Sequence, residues 1–140
     1  MSNIAYRLYL LTTIVLPLVK DGKKAQAGSL RTLDVLCTGS LLSYGLKALT
    51  NEKRPDSSKS NSFPSSHTLE SFATATTTSA FARREAPLWY AGAALIGLSR
   101  ILRDRHHVRD VLAGAALGYL LARWELRCRR GLLLRILLRH

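Results

Sequence analysis

Three short clusters in this chain carry residue types suited to phosphoryl transfer: Lys47 with Arg54-Pro55, then Pro64-Ser65-Ser66-His67, then Ser99-Arg100 with His106 and Asp110. Together they supply three cations, a hydroxyl and amide turn, and two histidines, one of them with a carboxylate four residues on. A phosphate in its transition state spreads negative charge over three equatorial oxygens, so fixed positive donors must surround it. One imidazole can attack phosphorus while a second protonates the departing oxygen. Lys47, Arg54 and Arg100 are the candidate phosphate clamp, the two arginines through forked guanidinium donors that match phosphate oxygens. On a helix, His106 and Asp110 would share one face. A carboxylate bonded to one ring nitrogen fixes the tautomer and leaves the other nitrogen free to attack. Pro64-Ser65-Ser66 reads as a turn that opens a helix at His67, where backbone amides point at bound anions.

Each cluster also has an ordinary reading. Lys47 can snorkel at a helix end and Arg54 can be a solvated loop charge. Ser65 or Ser66 can be a simple N-cap. His106 can be a helix-start histidine beside an N-terminal acid. Taken singly these readings stand; taken jointly they leave the spacing unexplained. Six residues separate Lys47 from Arg54, five separate Arg100 from His106, and three separate His106 from Asp110.

In form, order and spacing the clusters resemble the signature of the type 2 phosphatidic acid phosphatase superfamily, which includes vanadium haloperoxidases and bacterial acid phosphatases. The fitting positions are Lys47, Arg54, Pro55, Pro64, Ser65, His67, Ser99, Arg100, His106 and Asp110. The resemblance implies that His106 is the nucleophile, forming a phosphohistidine, and that Asp110 orients it. It implies that His67 protonates the leaving group and then activates water. Lys47, Arg54, Ser65, Ser66 and Arg100 would bind phosphate. His107 is the rival histidine, but it stands three residues from Asp110 and breaks the spacing. Two departures are plain. Ser66 occupies the position where glycine is commonest, and Arg103, Asp104, Arg105 and Arg109 replace the usual uncharged residues around the histidine. The extra cations would suit a polyanionic headgroup such as a diphosphate.

Five apolar segments can position these clusters, roughly Ile4–Val19, Leu30–Leu49, His67–Phe81, Leu88–Leu102 and Val108–Trp124. None is a clean run of the ~20 apolar residues that span a bilayer as a helix. The runs Ala91-Gly92-Ala93-Ala94 and Ala113 to Gly118, the latter with a Gly-x-x-x-Gly pair, suit close helix packing inside a membrane. The threonine-rich stretch Thr74–Ser79 reads as helix, with hydroxyls bonding back to the preceding turn. Glu70 fits as an acid in that helix's first turn. Asn51–Phe63 is the main loop, and Arg83–Pro87 and Arg103–His107 are the hinges. Alternating the segments up and down brings all three clusters to one end. The expected fold is an all-α, membrane-embedded bundle of about five helices, against the six usual in the family.

The 140 residues make one domain, with an N-terminal helix and basic loop over 1–29, a core over 30–125 and a basic tail over 126–140. The formal net charge of +12 favours anionic partners: nucleic acid, an anionic lipid surface or a phosphorylated substrate. Cys37 and Cys128 read as a core thiol and a surface thiol rather than a disulfide. Ala25-Gln26-Ala27 resembles a signal-peptide cleavage site, but Lys20, Asp21, Lys23 and Lys24 precede it, which favours an uncleaved anchor. The end carrying Lys20, Lys23, Lys24, Arg31, Arg83, Arg84, Arg123, Arg127, Arg129 and Arg130 would be cytoplasmic, and the clusters would face outward from a bacterial inner membrane. Leu132–His140 would lie along an anionic surface as an amphipathic helix or form a basic tail.

No motif implies a metal or other cofactor: there is no His-x-x-x-His, no paired cysteines and no acidic cluster. The expected substrate is a lipid phosphate, with phosphatidic acid, phosphatidylglycerol phosphate, an isoprenoid diphosphate and lipid A as the candidates. The rivals are a soluble acid phosphatase, a non-catalytic basic membrane protein of the same fold, and a basic nucleic-acid-binding protein. The last predicts stacking aromatics among its cations, and the loop holding Arg54 has one, Phe63.

Overall fold

The computed structural model describes residues 2–20, 22–56, 59–128 and 131. Its described residues form five α-helices and no strand: α1 (Ser2–Lys20), α2 (Gly22–Thr50), α3 (Ser66–Phe81), α4 (Ala86–Ile101) and α5 (Val108–Arg127), with a 3-10 turn at Arg83–Glu85. The all-α expectation holds, and the helices follow the apolar segments closely. The N-terminal boundary differs. Helix α2 starts at Gly22 and runs through Ala25-Gln26-Ala27, so the stretch expected to be a basic loop is helical.

The helix ends follow from local chemistry. Asn51 takes a positive φ of 47° and closes α2, its N–H donating to the Lys47 carbonyl at 3.0 Å; asparagine tolerates that left-handed conformation. Pro87 sits in the first turn of α4, where its missing N–H costs nothing. A capping box opens α5: the Asp110 N–H bonds the His107 side chain, and the His107 N–H bonds the Asp110 carboxylate.

Helix α3 is the centre of the bundle, packed against the other four helices. It is buried on every side from Ala73 to Thr78, yet it is rich in serine and threonine. Threonine hydroxyls bond back along the helix, Thr76 to the Phe72 carbonyl at 2.7 Å and Thr77 to that of Ala73 at 2.8 Å. Thr78 reaches across instead. Pro17 in α1 has no N–H for the carbonyl four residues back, that of Thr13, and the Thr78 hydroxyl donates to that oxygen at 3.2 Å.

Small residues set the helix separations. A Cβ at Gly118 would collide with the Leu69 carbonyl, and one at Gly114 would come within 2.7 Å of the Ser65 carbonyl. The Gly-x-x-x-Gly pair of α5 therefore lies directly on the backbone of α3, as small-residue packing requires. The large apolar side chains point outward instead: Leu8, Leu11, Val15 and Leu18 on α1, Leu88, Leu95 and Leu98 on α4, Leu112, Leu120 and Trp124 on α5. Leu95 is 67% exposed, whereas Thr74 and Thr77 are wholly buried.

Both cysteines are free, but their environments are the reverse of those expected. Cys37 lies on the exposed wall of α2, whereas Cys128 packs with Val35, Ala73, Leu121 and Ala122. The arginines flanking Cys128 in sequence misrepresent its surroundings in space. Glu70 is not a first-turn acid of α3; Tyr6 and Ser40 both donate to its carboxylate. Leu132–His140, Arg129 and Arg130 lie outside the described residues, as do the side chains of Lys20, Lys23 and Lys24.

Candidate active site

Four elements deliver the clusters to one end of the bundle. Lys47 stands in the last turn of α2, His67 in the first of α3, Arg100 in the last of α4, and Asp110 in the first of α5. The loop after α2 carries Arg54, and the turn before α5 carries His106.

His106 lies at the focus. It is 3% exposed, and the charges of Lys47, Arg54 and Arg100 all act on its ring. Burial first, and then those three cations, holds the imidazole down at about 4, against a hydrogen bond with the Ser62 backbone that acts the other way. His106 is therefore neutral at pH 7. The field of Arg100, His106, Arg54 and Lys47 also reaches His67, so both histidines share one cationic environment.

The three candidate clamp residues are held differently. Nζ of Lys47 donates to the carbonyls of Pro64 at 2.6 Å and Asn61 at 2.8 Å, which uses two of the three ammonium donors. Nε of Arg54 donates to Oδ1 of Asn61 at 2.7 Å. Arg100 is buried, under the charges of Arg54, Arg105, Arg103 and Asp56. Asn61 thus joins two of the three cations, a role that sequence reasoning missed.

The serines engage one another more than they cap helices. Ser65 occupies the N-cap position of α3 without a side-chain cap bond; its Oγ accepts from Thr68 at 2.9 Å, and its N–H donates to the Asp110 carbonyl at 3.0 Å. Oγ of Ser66 is 2.7 Å from Oγ of Ser43. Ser99 turns back to the Ile96 carbonyl of its own helix and does not join the cluster through its hydroxyl.

Asp110 is wholly buried and serves several partners. Its Oδ2 accepts from the Ser62 hydroxyl and from the His107 N–H. It lies 3.2 Å from Nδ1 of His107 and 3.8 Å from Nδ1 of His106. The second separation exceeds a hydrogen bond, so the helix-capping role of Asp110 is realised alongside a looser approach to the neutral ring of His106. Ser62, buried between them, is a second residue that the motif search did not single out. Its place in a loop-like stretch, between Asn61 and Phe63, concealed it.

The charges around the third cluster also differ from expectation. Nη1 of Arg105 pairs with Asp56 at 2.9 Å, and Arg109 pairs with Glu52. Those two cations tie the loop after α2 to the turn before α5 and to the first turn of α5 itself. At the opposite end, Nη1 of Arg31 donates to the Glu125 carbonyl at 2.6 Å and faces the buried Glu125 carboxylate. Among the described residues, no group of three or more His, Cys, Asp or Glu side chains gathers to hold a metal ion.

A family model described as the PAP2 superfamily matches residues 29–133. The chain belongs to the PAP2 superfamily. The match takes in every cluster described above and leaves α1 outside it. A lipid A 1-phosphatase from Porphyromonas gingivalis is 46% identical over 72 residues, covering 48% of this chain. The chain spans 16% of the length of that PAP2 relative. No solved structure matches the chain.

Proposed function

We propose that this PAP2 protein is a metal-independent phosphatase that hydrolyses a phosphate monoester or diphosphate on a membrane lipid. One observation carries the reading. Four separate elements place Lys47, Arg54 and Arg100 around a buried, neutral His106, with His67 in the same field. A cationic ring around a neutral imidazole is what nucleophilic attack on phosphorus requires.

The proposed reaction has two displacements. A ring nitrogen of His106 attacks phosphorus as the bond to the leaving oxygen breaks, and His67, protonated once the bound phosphate's negative charge offsets the surrounding cations, gives that oxygen its proton. His67 then takes a proton from water, whose oxygen displaces His106 and releases inorganic phosphate. Asp110 stands on the Nδ1 side of His106, which favours Nε2 as the attacking atom. The uncapped N-terminus of α3 supports the phosphate subsite, since its first-turn amides have no intrahelical acceptor.

Membrane embedding rests on the inside-out distribution of side chains. Leucines cover the outer wall, and serine, threonine and alanine fill the interior around α3. An exposed apolar belt of this kind marks a membrane or partner surface. No helix among the described residues is long and apolar enough to cross a membrane. For α3 and α4 the reading supplies reasons. Helices α3 and α4 have 16 residues each, a rise of about 24 Å, and α3 needs no apolar surface because its neighbours enclose it. Local thinning of the bilayer accommodates short spans. The partial likeness to a lipid A 1-phosphatase supports keeping lipid A beside phosphatidic acid, phosphatidylglycerol phosphate and isoprenoid diphosphates as substrates to test.

The test is phosphate release by purified protein over those four lipid classes with EDTA present, followed by quenching in alkaline denaturant to trap phosphoprotein. Turnover with an acid-labile, base-stable phosphoryl adduct is expected. Activity lost to EDTA and restored by magnesium or zinc would overturn the metal-free mechanism.

A further inference from the structure

Helix α1 precedes the residues matched by the PAP2 model, yet it reaches the site. The ring of Tyr6 lies against the imidazole of His67, with centroids 4.2 Å apart and planes tilted by 46°. The Tyr6 hydroxyl donates to Oε2 of Glu70, and Oε1 of Glu70 accepts from the Ser40 hydroxyl at 2.8 Å. Glu70 follows His67 by three residues on α3, so the two side chains leave the same face. These contacts form a frame. Helix α2 holds the carboxylate through Ser40, the carboxylate holds the phenol, and the phenol ring rests on the imidazole. The phosphoryl chemistry has no other use for Glu70, a carboxylate in a chain of +12 formal net charge.

Resting on the phosphatase reading above, we infer that Tyr6 is a positioning residue for His67, so that α1 completes the active site. A general acid must stand within hydrogen-bond reach of the leaving oxygen, and a misplacement of about 1 Å costs on the order of 10²-fold in rate. An imidazole at the head of a helix can rotate about its side-chain torsions. A tethered ring packed on one face removes part of that freedom.

The experiment compares wild type, Tyr6→Phe and Tyr6→Leu, full-length and in lipid vesicles, on an alkyl lipid phosphate and on an activated aryl phosphate. Tyr6→Leu removes the ring and the tether; Tyr6→Phe keeps the ring and removes the tether. Tyr6→Leu is expected to lower kcat on the lipid phosphate on the order of 10-fold with KM within about twofold. The loss should shrink on the aryl phosphate, whose leaving oxygen needs little protonation. Tyr6→Phe should recover most of the rate. Added to His67→Ala, Tyr6→Leu should cost nothing further, because the residue it positions is gone. Equal losses on both substrates, or a full additional loss in the His67→Ala background, would overturn the proposal in an active enzyme. Should Tyr6→Leu fail to fold, the same comparisons on Tyr6→Phe decide, with a smaller loss of the same leaving-group pattern expected. A wild-type protein that releases no phosphate from either substrate brings down the phosphatase reading and this inference with it.

Discussion

Nδ1 of His106 and Oδ2 of Asp110 stand 3.8 Å apart, and Nδ1 of the neighbouring His107 is closer to the same oxygen at 3.2 Å. The two histidines nevertheless differ in environment. His106 is buried under three cations, whereas the His107 side chain is 42% exposed and caps α5. Distance to the carboxylate would select His107. Burial, the cationic ring and the motif spacing select His106.

That contrast sets the first prediction. His106→Ala should abolish both turnover and phosphoryl trapping, since no phosphohistidine can form. His107→Ala should keep turnover and cost about 1 kcal/mol of stability as a lost cap. Asp110→Asn should lower the rate while its side-chain oxygen still accepts one helix-start bond. Steady-state rates, alkaline-quench trapping and chemical denaturation check all three. Turnover by His106→Ala with a dead His107→Ala would reverse the assignment.

The second prediction follows from the displaced titration of His106. Its imidazole is ordinarily half-protonated near 6.5 and is held at about 4 in the fold. The folded state therefore prefers the neutral ring, and the unfolded chain takes up a proton first as pH falls. The stability contribution is fully present above about 6.5, declines from there to about 4, and is lost below. The rate limb that needs neutral His106 should rise through about pH 4 and be flat at neutrality. Arg54→Gln should move the midpoint upward by removing one of the repelling charges. An NMR titration of the His106 ring reads this directly, and a midpoint unmoved or lowered in Arg54→Gln would contradict the electrostatic account.

Much of this architecture was legible in the sequence because its signals were local. Pro64-Ser65-Ser66 marked the head of α3, and the Gly114/Gly118 pair marked a close helix contact. Alternating direction brought the clusters together without any side-chain detail. What failed depended on the third dimension. Cys128 looked exposed among arginines but packs in the core, and Arg105 and Arg109 looked free but meet acids about fifty residues away in the chain. Ser62, Asn61 and Tyr6 lie in stretches whose composition announces only loop or apolar helix, so their contacts with Asp110, Arg54 and His67 had no sequence signature.

The glycines of the bundle give the third prediction. Gly118→Ala places a methyl group against the Leu69 carbonyl of α3, where backbone must shift, at a cost of about 1–3 kcal/mol. Gly45→Ala meets nothing within 4 Å and should be neutral or stabilise α2 by up to about 1 kcal/mol. Thermal unfolding in matched detergent separates the two. Equal tolerance at both positions would mean that α5 does not lie on the α3 backbone.

The last prediction concerns orientation. The site end carries Lys59 in its loop, and the opposite end carries Arg84 in the turn between α3 and α4. Paired cations at the site end are partly neutralised by Glu52 and Asp56, which leaves the exposed arginines Arg83, Arg84, Arg123 and Arg127 as the stronger retention signal. The opposite end should therefore be cytoplasmic and the site should face outward. In a chain lacking Cys37 and Cys128, Lys59→Cys should react with a membrane-impermeant maleimide on intact cells, and Arg84→Cys should react only after lysis. Labelling of Arg84→Cys but not Lys59→Cys on intact cells would turn the protein over, and labelling of neither before lysis with full recovery in the soluble fraction would remove it from the membrane altogether.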